Sequence, residues 1–136
     1  MTWEPRPLPQ VNPEIAPFWA GAAEGEFLLR FCPDCGLVFY YPRHLCPDCF
    51  GNDVEWMAAE GTGEVYSYSV TEKLEGWPDE ALPVVVAYVE LAEGPRVMTN
   101  ILADPEAVSV GSRVEVEFVN TDREDVAIPV FVPIDA

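Results

Sequence analysis

Cys32-Pro33-Asp34-Cys35 and Cys46-Pro47-Asp48-Cys49 form two matching motifs with ten residues between them, and they hold all four cysteines of the chain. Two residues between paired cysteines let both sulfurs point to one centre. Two such pairs can close a tetrahedron around a zinc ion, with Zn–S distances of about 2.3 Å. Gly36 follows the first pair, at a tight backbone turn where a side chain is disfavoured. The sequence therefore predicts a four-thiolate zinc site in a zinc ribbon.

The predicted metal is structural rather than catalytic. Four thiolates leave no open coordination position for water or substrate. A segment of about 20 residues buries too little apolar surface to be stable alone, so metal binding supplies its folding free energy. Iron in the same cage, as in a one-electron carrier, is the leading alternative. A reversible dithiol is the third, although that role needs only one pair.

The sequence before the motifs predicts an extended arm and one helix. Residues 1–13 contain four prolines, Pro5, Pro7, Pro9 and Pro13. Asn12 resembles a helix cap with Pro13 in the first turn, so we predict a helix over about residues 13–24, ended by Gly25. Four apolar residues recur at helical spacing: Ile15, Phe18, Trp19 and Ala22. This face packs either on the chain's own ribbon and barrel or on a partner.

The remaining pattern is that of β-strands. A short strand over residues 27–31 leads into the cysteines, and five further segments follow Gly61, at 64–71, 84–91, 96–103, 113–120 and 126–134. In the fourth, Val114, Val116 and Phe118 alternate with charged residues, as in a half-buried strand. Five strands joined by turn signals suit an OB-fold, whose closed barrel removes most exposed sheet edges.

We therefore predict a mainly β protein in three parts. These are an amino-terminal arm and helix over residues 1–26, a zinc ribbon over 27–60 and a five-stranded OB-fold over 61–136. The 136 residues are 49% hydrophobic, enough for one compact unit with its own core.

Charge is the most unusual bulk property. The chain has 24 acidic and 7 basic residues, a formal net charge of −17. Such a field repels nucleic-acid phosphates and anionic lipid, so it disfavours binding to either. The acidic residues are scattered rather than gathered in a tail, which favours adaptation to a salt-rich cytoplasm. A basic partner and a merely well-solvated surface are the two other interpretations.

Neither a membrane span nor a secretory signal is evident. The longest strongly apolar stretch, residues 81–89, is interrupted by Pro83 and falls short of the roughly 18 residues that a span needs. The amino terminus lacks a basic start followed by an apolar run. We expect a cytoplasmic protein.

The residues needed for catalysis are scarce. His44 is the only histidine and lies two residues before Cys46, so we expect a surface or ribbon-packing role for it. With the cysteines assigned to the metal, no Ser-His-Asp set, nucleophile elbow or phosphate-binding glycine loop remains. The chain is therefore predicted not to be an enzyme by itself. Trp77, in the loop over residues 73–78, is a candidate for recognition or a cover for one end of the barrel.

Several motifs together resemble a known family. They are Cys32-x-x-Cys35-Gly36, Pro42-Arg43-x-x-Cys46-Pro47-x-Cys49, Gly61-x-Gly63-x-Val65-Tyr66-Ser67-Tyr68, Thr99-Asn100-Ile101 and Ile128-Pro129-Val130-Phe131. In this order they resemble the acyl-CoA-associated OB-fold proteins with an amino-terminal rubredoxin-like zinc ribbon, or domain of unknown function thirty-five. The resemblance covers about residues 12–134. Two positions depart from the family pattern: Tyr41 precedes Pro42 where a second proline is common, and Phe50 stands where glycine often follows.

The resemblance implies an accessory subunit of a thiolase-like enzyme. Its partner would hold the catalytic cysteine and histidines, and a coenzyme A thioester would be bound jointly, with Arg43 and Trp77 as possible contacts to the acyl-CoA or the partner. We expect the β-type subunit of an acetyl-CoA acetyltransferase. The alternatives are an accessory subunit of a steroid side-chain aldolase or of a 3-hydroxy-3-methylglutaryl-CoA synthase assembly, and a zinc-ribbon/OB nucleic-acid-binding module.

Overall fold

The structure is a computed structural model that describes residues 2–134. This part of the chain is mainly β, with one α-helix and eight strands. In chain order the elements are α1 (Ala16–Ala23), β1 (Leu28–Phe31), β2 (Val38–Phe39), β3 (Glu55–Ala58), β4 (Thr62–Thr71), β5 (Val84–Leu91), β6 (Arg96–Ile101), β7 (Arg113–Asn120) and β8 (Ala127–Pro133). Short 3₁₀ turns lie at Asp79–Ala81 and Pro105–Ala107. No helix within residues 2–134 is long and apolar enough to cross a membrane.

The zinc ribbon is a small antiparallel sheet in the order β2-β1-β3. The first cysteine motif connects β1 to β2, and the second lies between β2 and β3. Both motifs therefore lie at the same end of β1, because Phe31 at that end pairs with Val38 at the start of β2 and with Glu55 at the start of β3.

The barrel has the strand order β4-β5-β6-β8-β7 and is closed by pairing of β4 with β7. Its pairings are antiparallel except between β6 and β8, which meet in parallel at Ile101 and Phe131. This is the predicted five-stranded OB-fold. The predicted strands are confirmed, with ends that differ by up to two residues.

Helix α1 begins later than predicted, at Ala16 rather than Pro13. Asn12 does accept a hydrogen bond from the Ile15 N–H at 3.2 Å, but it caps a turn that precedes the helix. Pro17 explains the difference. A proline has no N–H and its ring clashes with the carbonyl four residues earlier, so Pro17 is tolerated only in the first helical turn.

The end of α1 and its apolar face are as predicted. Gly25 has φ +85°, and its N–H donates to the Ala22 carbonyl at 3.0 Å. The four apolar residues are all buried, namely Ile15, Phe18, Trp19 and Ala22. The helix contacts β1, β7 and β8, so its apolar face is covered by the chain itself rather than left for a partner.

The amino-terminal arm is not a free extended segment. Thr2 forms a parallel bridge to Asn120, and the Trp3 N–H donates to the Asn120 carbonyl at 2.8 Å. The Trp3 indole is buried and donates to the Pro7 carbonyl at 2.7 Å, which folds the arm back on itself. A large aromatic residue near the terminus therefore docks the arm on the barrel.

Helix, ribbon and barrel share one aromatic core. Phe27, just before β1, contacts Phe18 of α1 and Phe131 of β8, with ring centroids 5.7 and 5.9 Å apart. Tyr40, which follows β2, packs on Phe18 of α1 and on Phe27. The ribbon is thus joined to the barrel by buried rings as well as by the chain. The domain limits at 26/27 and 60/61 stay predictions.

Candidate metal centre

The four cysteine sulfurs converge on one point. All four lie within 4.8 Å of one another. The Cys32 and Cys49 sulfurs are 3.6 Å apart, as are those of Cys35 and Cys46. In a regular tetrahedron with Zn–S bonds of about 2.3 Å the sulfurs are about 3.8 Å apart. The arrangement therefore fits a four-coordinate ion of the size of zinc.

The two motifs fold in the same way because their backbones make the same hydrogen bonds. In each, the residue after the second cysteine donates its N–H to the carbonyl of the first. These bonds are Gly36 to Cys32 at 2.7 Å and Phe50 to Cys46 at 2.9 Å. Both donors have positive φ, +81° at Gly36 and +61° at Phe50. Each cysteine pair is therefore held by a turn whose last residue has a left-handed backbone conformation.

The protein environment shifts the pKa values of the Cys46 and Cys35 thiols in opposite directions. A backbone hydrogen bond from Cys49, with a further one from the Asp48 N–H, lowers the pKa of Cys46 to about 7. At Cys35 a backbone hydrogen bond from Leu37 lowers the pKa, but desolvation and the neighbouring thiols outweigh it and raise the pKa to about 12. A metal that binds all four thiolates must therefore displace protons, so acid should weaken binding.

His44 lies outside the sulfur cluster and is exposed. Its backbone N–H donates to a carboxylate oxygen of Glu14 at 2.8 Å. This bond joins the ribbon to the turn before α1. The imidazole is not part of the four-cysteine group.

The structure does not bring Arg43 and Trp77 into a recognisable joint site. Arg43 is exposed and makes no ion pair among residues 2–134. Trp77 is partly buried, with its ring edge-on to Trp3 at 5.3 Å between centroids. The Arg6 guanidinium lies 4.9 Å from the Trp3 ring centroid and 5.3 Å from that of Trp77. Contact of either residue with acyl-CoA or a partner stays a prediction.

A shallow cavity of about 360 Å³ lies beside Trp77. Its charged lining is Glu72, Lys73, Glu75 and Asp79, so acids outnumber the one lysine. That charge opposes the binding of phosphate groups.

A second cavity of about 160 Å³ lies where the arm, helix and ribbon meet the barrel. Aromatic rings dominate its lining, and they belong to Trp3, Trp19, Phe27, Tyr40 and Phe131. Sequence reasoning did not predict this cavity, because its walls come from six separate segments. The concentration of aromatic residues in the amino-terminal part of the chain was the available signal.

Sequence reasoning also missed the role of Arg30. This residue of β1 is buried, and its guanidinium lies 4.0 Å from the Trp56 ring centroid on β3. It donates to the Val54 carbonyl at 3.2 Å, and burial lowers its pKa. An arginine in an otherwise apolar strand beside a cysteine was the available signal. The cation is held by stacking and by a backbone acceptor rather than by a carboxylate.

Two family models match successive parts of the chain. The rubredoxin-like zinc ribbon domain of ChsH2 matches residues 19–55, and the C-terminal OB-fold domain of ChsH2 matches residues 56–119. Together they cover the metal centre and most of the barrel.

Similar proteins have several functional names. A probable enoyl-CoA hydratase alpha subunit of Thermomonospora curvata is 34% identical over 129 residues, which are 94% of this chain and 40% of that protein. A DUF35 domain-containing scaffold protein of Methanothermobacter thermautotrophicus is 38% identical over 98 residues, which are 69% of this chain and 74% of that protein. The chain thus spans less than half the length of the first and most of the second.

Two solved structures share the fold. The Ltp2-ChsH2(DUF35) aldolase chain aligns with a TM-score of 0.82 and 32% identity, over 94% of this chain and 100% of that one. A DUF35-family protein of unknown function from Sulfolobus solfataricus aligns with a TM-score of 0.62 and 17% identity, over 90% and 87% of the two chains. The second likeness concerns the fold alone.

Proposed function

This chain belongs to the ChsH2-type family of DUF35 proteins, and from that membership we propose that it is a non-catalytic scaffold subunit of an acyl-CoA-handling enzyme complex. The convergence of all four cysteine sulfurs within 4.8 Å carries the proposal. It commits the nucleophilic thiols to a closed metal centre. Zinc would be the ion, held by the four cysteines, and it would supply folding free energy rather than chemistry.

In its finer form, the partner is a thiolase-like chain that holds the reactive cysteine and histidines. This chain would stabilise it and help to form the acyl-CoA site. Arg43 and Trp77 are the residues proposed to face the ligand or the partner. The net charge of −17 supports apolar and backbone contacts to the coenzyme rather than phosphate binding.

An aldolase or hydratase assembly is the second candidate, and two likenesses favour it. A 32% identical chain lies in the Ltp2-ChsH2(DUF35) aldolase, and a 34% identical relative is named a probable enoyl-CoA hydratase alpha subunit. Both candidates require a catalytic partner. A 3-hydroxy-3-methylglutaryl-CoA synthase assembly would differ from the thiolase form only in the condensation reaction that the partner catalyses. A nucleic-acid-binding module is disfavoured by the acidic surface.

Co-expression tests the proposal. The tagged full chain is produced with each thiolase-, aldolase- and hydratase-type chain encoded in the same genome, one at a time, and the purified products are analysed for co-eluting protein. Each complex is then assayed for acetoacetyl-CoA thiolysis, aldol cleavage of a 3-hydroxyacyl-CoA and hydration of an enoyl-CoA. We expect one stable pair whose activity exceeds that of the catalytic chain alone.

The outcomes separate the candidates. Thiolysis supports the thiolase form, whereas cleavage or hydration supports the second candidate. Turnover of any of these thioesters by the isolated chain would overturn the scaffold proposal. So would the absence of a stable complex with every chain tested.

A further inference from the structure

The two cysteine turns differ at one position that their shared geometry makes costly. Gly36 and Phe50 occupy equivalent places, each donating its N–H back to the first cysteine of its motif. Both have left-handed backbone, with φ +81° and +61°. Glycine adopts this conformation without strain, but the Cβ of any other L-residue crowds the neighbouring carbonyl. For a bulky aromatic residue it is an outlier.

The folded chain gains no packing that would offset the strain at Phe50. Its side chain is 73% exposed, the largest value among the big apolar residues that the structure describes. The ring belongs neither to the buried core cluster nor to any aromatic pair within residues 2–134. In the free protein Phe50 therefore combines an unfavourable backbone with a wetted aromatic surface, which is typical of a residue that is buried in a complex.

Exposed apolar and acidic residues flank Phe50 along the chain. Leu45, on the other side of Cys46, is 48% exposed. Asp48 and Asp53 are exposed nearby along the chain. The carboxylate of Asp34 lies beside Gly51, because a Cβ added there would stand 2.8 Å from its oxygen. Four thiolates around a bound divalent ion would add two further negative charges.

We propose that Phe50 is the anchor by which the ribbon docks on the catalytic subunit, entering an apolar pocket rimmed by basic residues. The inference rests on the proposed function and adds the surface and the kind of pocket that it fits. Charge complementarity selects the occupant, since an acidic rim favours a basic one. A second copy of this chain is disfavoured, because it carries the same −17 charge and the same acidic residues around Phe50.

Phe50→Gly separates docking from folding because the two roles predict opposite results. Glycine relieves the left-handed backbone, so retention of the metal against a chelator should be equal to or better than in the wild type. Removal of the ring should raise the Kd for the purified catalytic subunit at least about tenfold, as for a central aromatic anchor. Phe50→Asn, which also tolerates this backbone, should give the same two results.

Val110→Ser is the matched control. Val110 is 68% exposed and lies in the turn before β7, in the barrel rather than the ribbon. The substitution removes a similarly exposed apolar side chain, and the Kd for the catalytic subunit should not change. A p-benzoylphenylalanine residue placed at position 50 should crosslink to the catalytic subunit under light, and one at position 110 should not.

Each outcome is decisive. An unchanged Kd for Phe50→Gly in a complex that the wild type forms would overturn the docking role and leave the proposed function intact. Loss of metal together with loss of binding would also overturn it, since the ring would then be structural. Crosslinks from position 50 to a second copy of this chain would replace the partner with self-association. Absence of any wild-type complex would refute the proposed function itself and with it this inference.

Discussion

At the scale of single residues, spacing along the chain predicted that the four cysteine sulfurs lie together, but not the stacking of Arg30 on Trp56 in the ribbon sheet. The cysteines of each motif are three residues apart, so local turn geometry alone brings their sulfurs together. Arg30 and Trp56 are directly opposite on β1 and β3, a register set after the chain has passed through both motifs. No local pattern encodes that register, and the buried cation was therefore missed.

Replacement of one metal ligand should abolish the centre. Cys46→Ser removes a buried thiolate that the folded backbone already favours in its charged form. We expect loss of bound metal and destabilisation by at least about 4 kcal/mol, measured by elemental analysis and urea unfolding. His44→Ala, two residues away, should keep a full metal content. Metal retained by Cys46→Ser would contradict the four-thiolate assignment.

The identity of the metal has its own test. Purified protein should contain about one zinc ion per chain and show no visible absorption, because zinc with four thiolates is colourless. Acidification should release the ion, since protons compete for the thiolates. A coloured protein with iron in elemental analysis would support the electron-carrier alternative instead.

Trp56→Leu should destabilise the ribbon without removing a ligand. The Arg30 guanidinium would lose the ring that lies 4.0 Å away while remaining desolvated. The expected cost is about 1–3 kcal/mol in urea unfolding. Glu55→Gln, an exposed neighbour on β3, should change stability by less than about 0.5 kcal/mol. Equal effects of the two substitutions would show that the stacking does not matter.

At the scale of elements, alternation predicted the barrel strands, whereas the helix start and the arm required knowledge of what they pack against. Period-two patterns are local; that of β7 gave both ends correctly, and the other barrel strands differ by at most two residues at either end. The helix start is fixed by Pro17, which is tolerated only in the first helical turn and so overrides the cap signal at Asn12. The arm's position depends on Trp3 finding Asn120 across the whole chain, a contact that composition does not predict.

Trp3→Ala should release the arm. The variant loses a buried indole, its edge-on contact with Trp77 and its stacking with Arg6. We expect destabilisation by about 3–5 kcal/mol in urea unfolding and faster proteolysis within residues 4–9. Leu8→Ala, at a more exposed position of the same arm, is the control and should cost less than about 1 kcal/mol. Unchanged proteolysis of Trp3→Ala would contradict the docking of the arm.

At the scale of the whole molecule, charge is poorly balanced by ion pairs. Within residues 2–134 only Arg96–Glu90 and Arg123–Asp125 form salt bridges, and both are about half exposed. Such pairs contribute about 0–1 kcal/mol each. Most of the carboxylates therefore repel one another through solvent, because few of them are paired with a basic side chain.

The salt-adaptation interpretation predicts that added KCl stabilises the protein. Between 0.1 and 1 M salt the screening length falls from about 10 to about 3 Å, which should weaken this repulsion. We expect the thermal midpoint to rise by several degrees, roughly 1–2 kcal/mol. NaCl should have the same effect at equal ionic strength. A midpoint that does not rise with either salt would favour a basic partner or a merely solvated surface.

The contact of Phe27 with Phe131 makes the orientation of the two modules a property of the core rather than of a linker. A partner protein that bound only the zinc ribbon would therefore also fix the orientation of the barrel. Placement of the barrel against a second chain would then need no strong contacts of its own. The residues on the barrel surface would then be free to differ among related assemblies that share the same contact at the zinc ribbon.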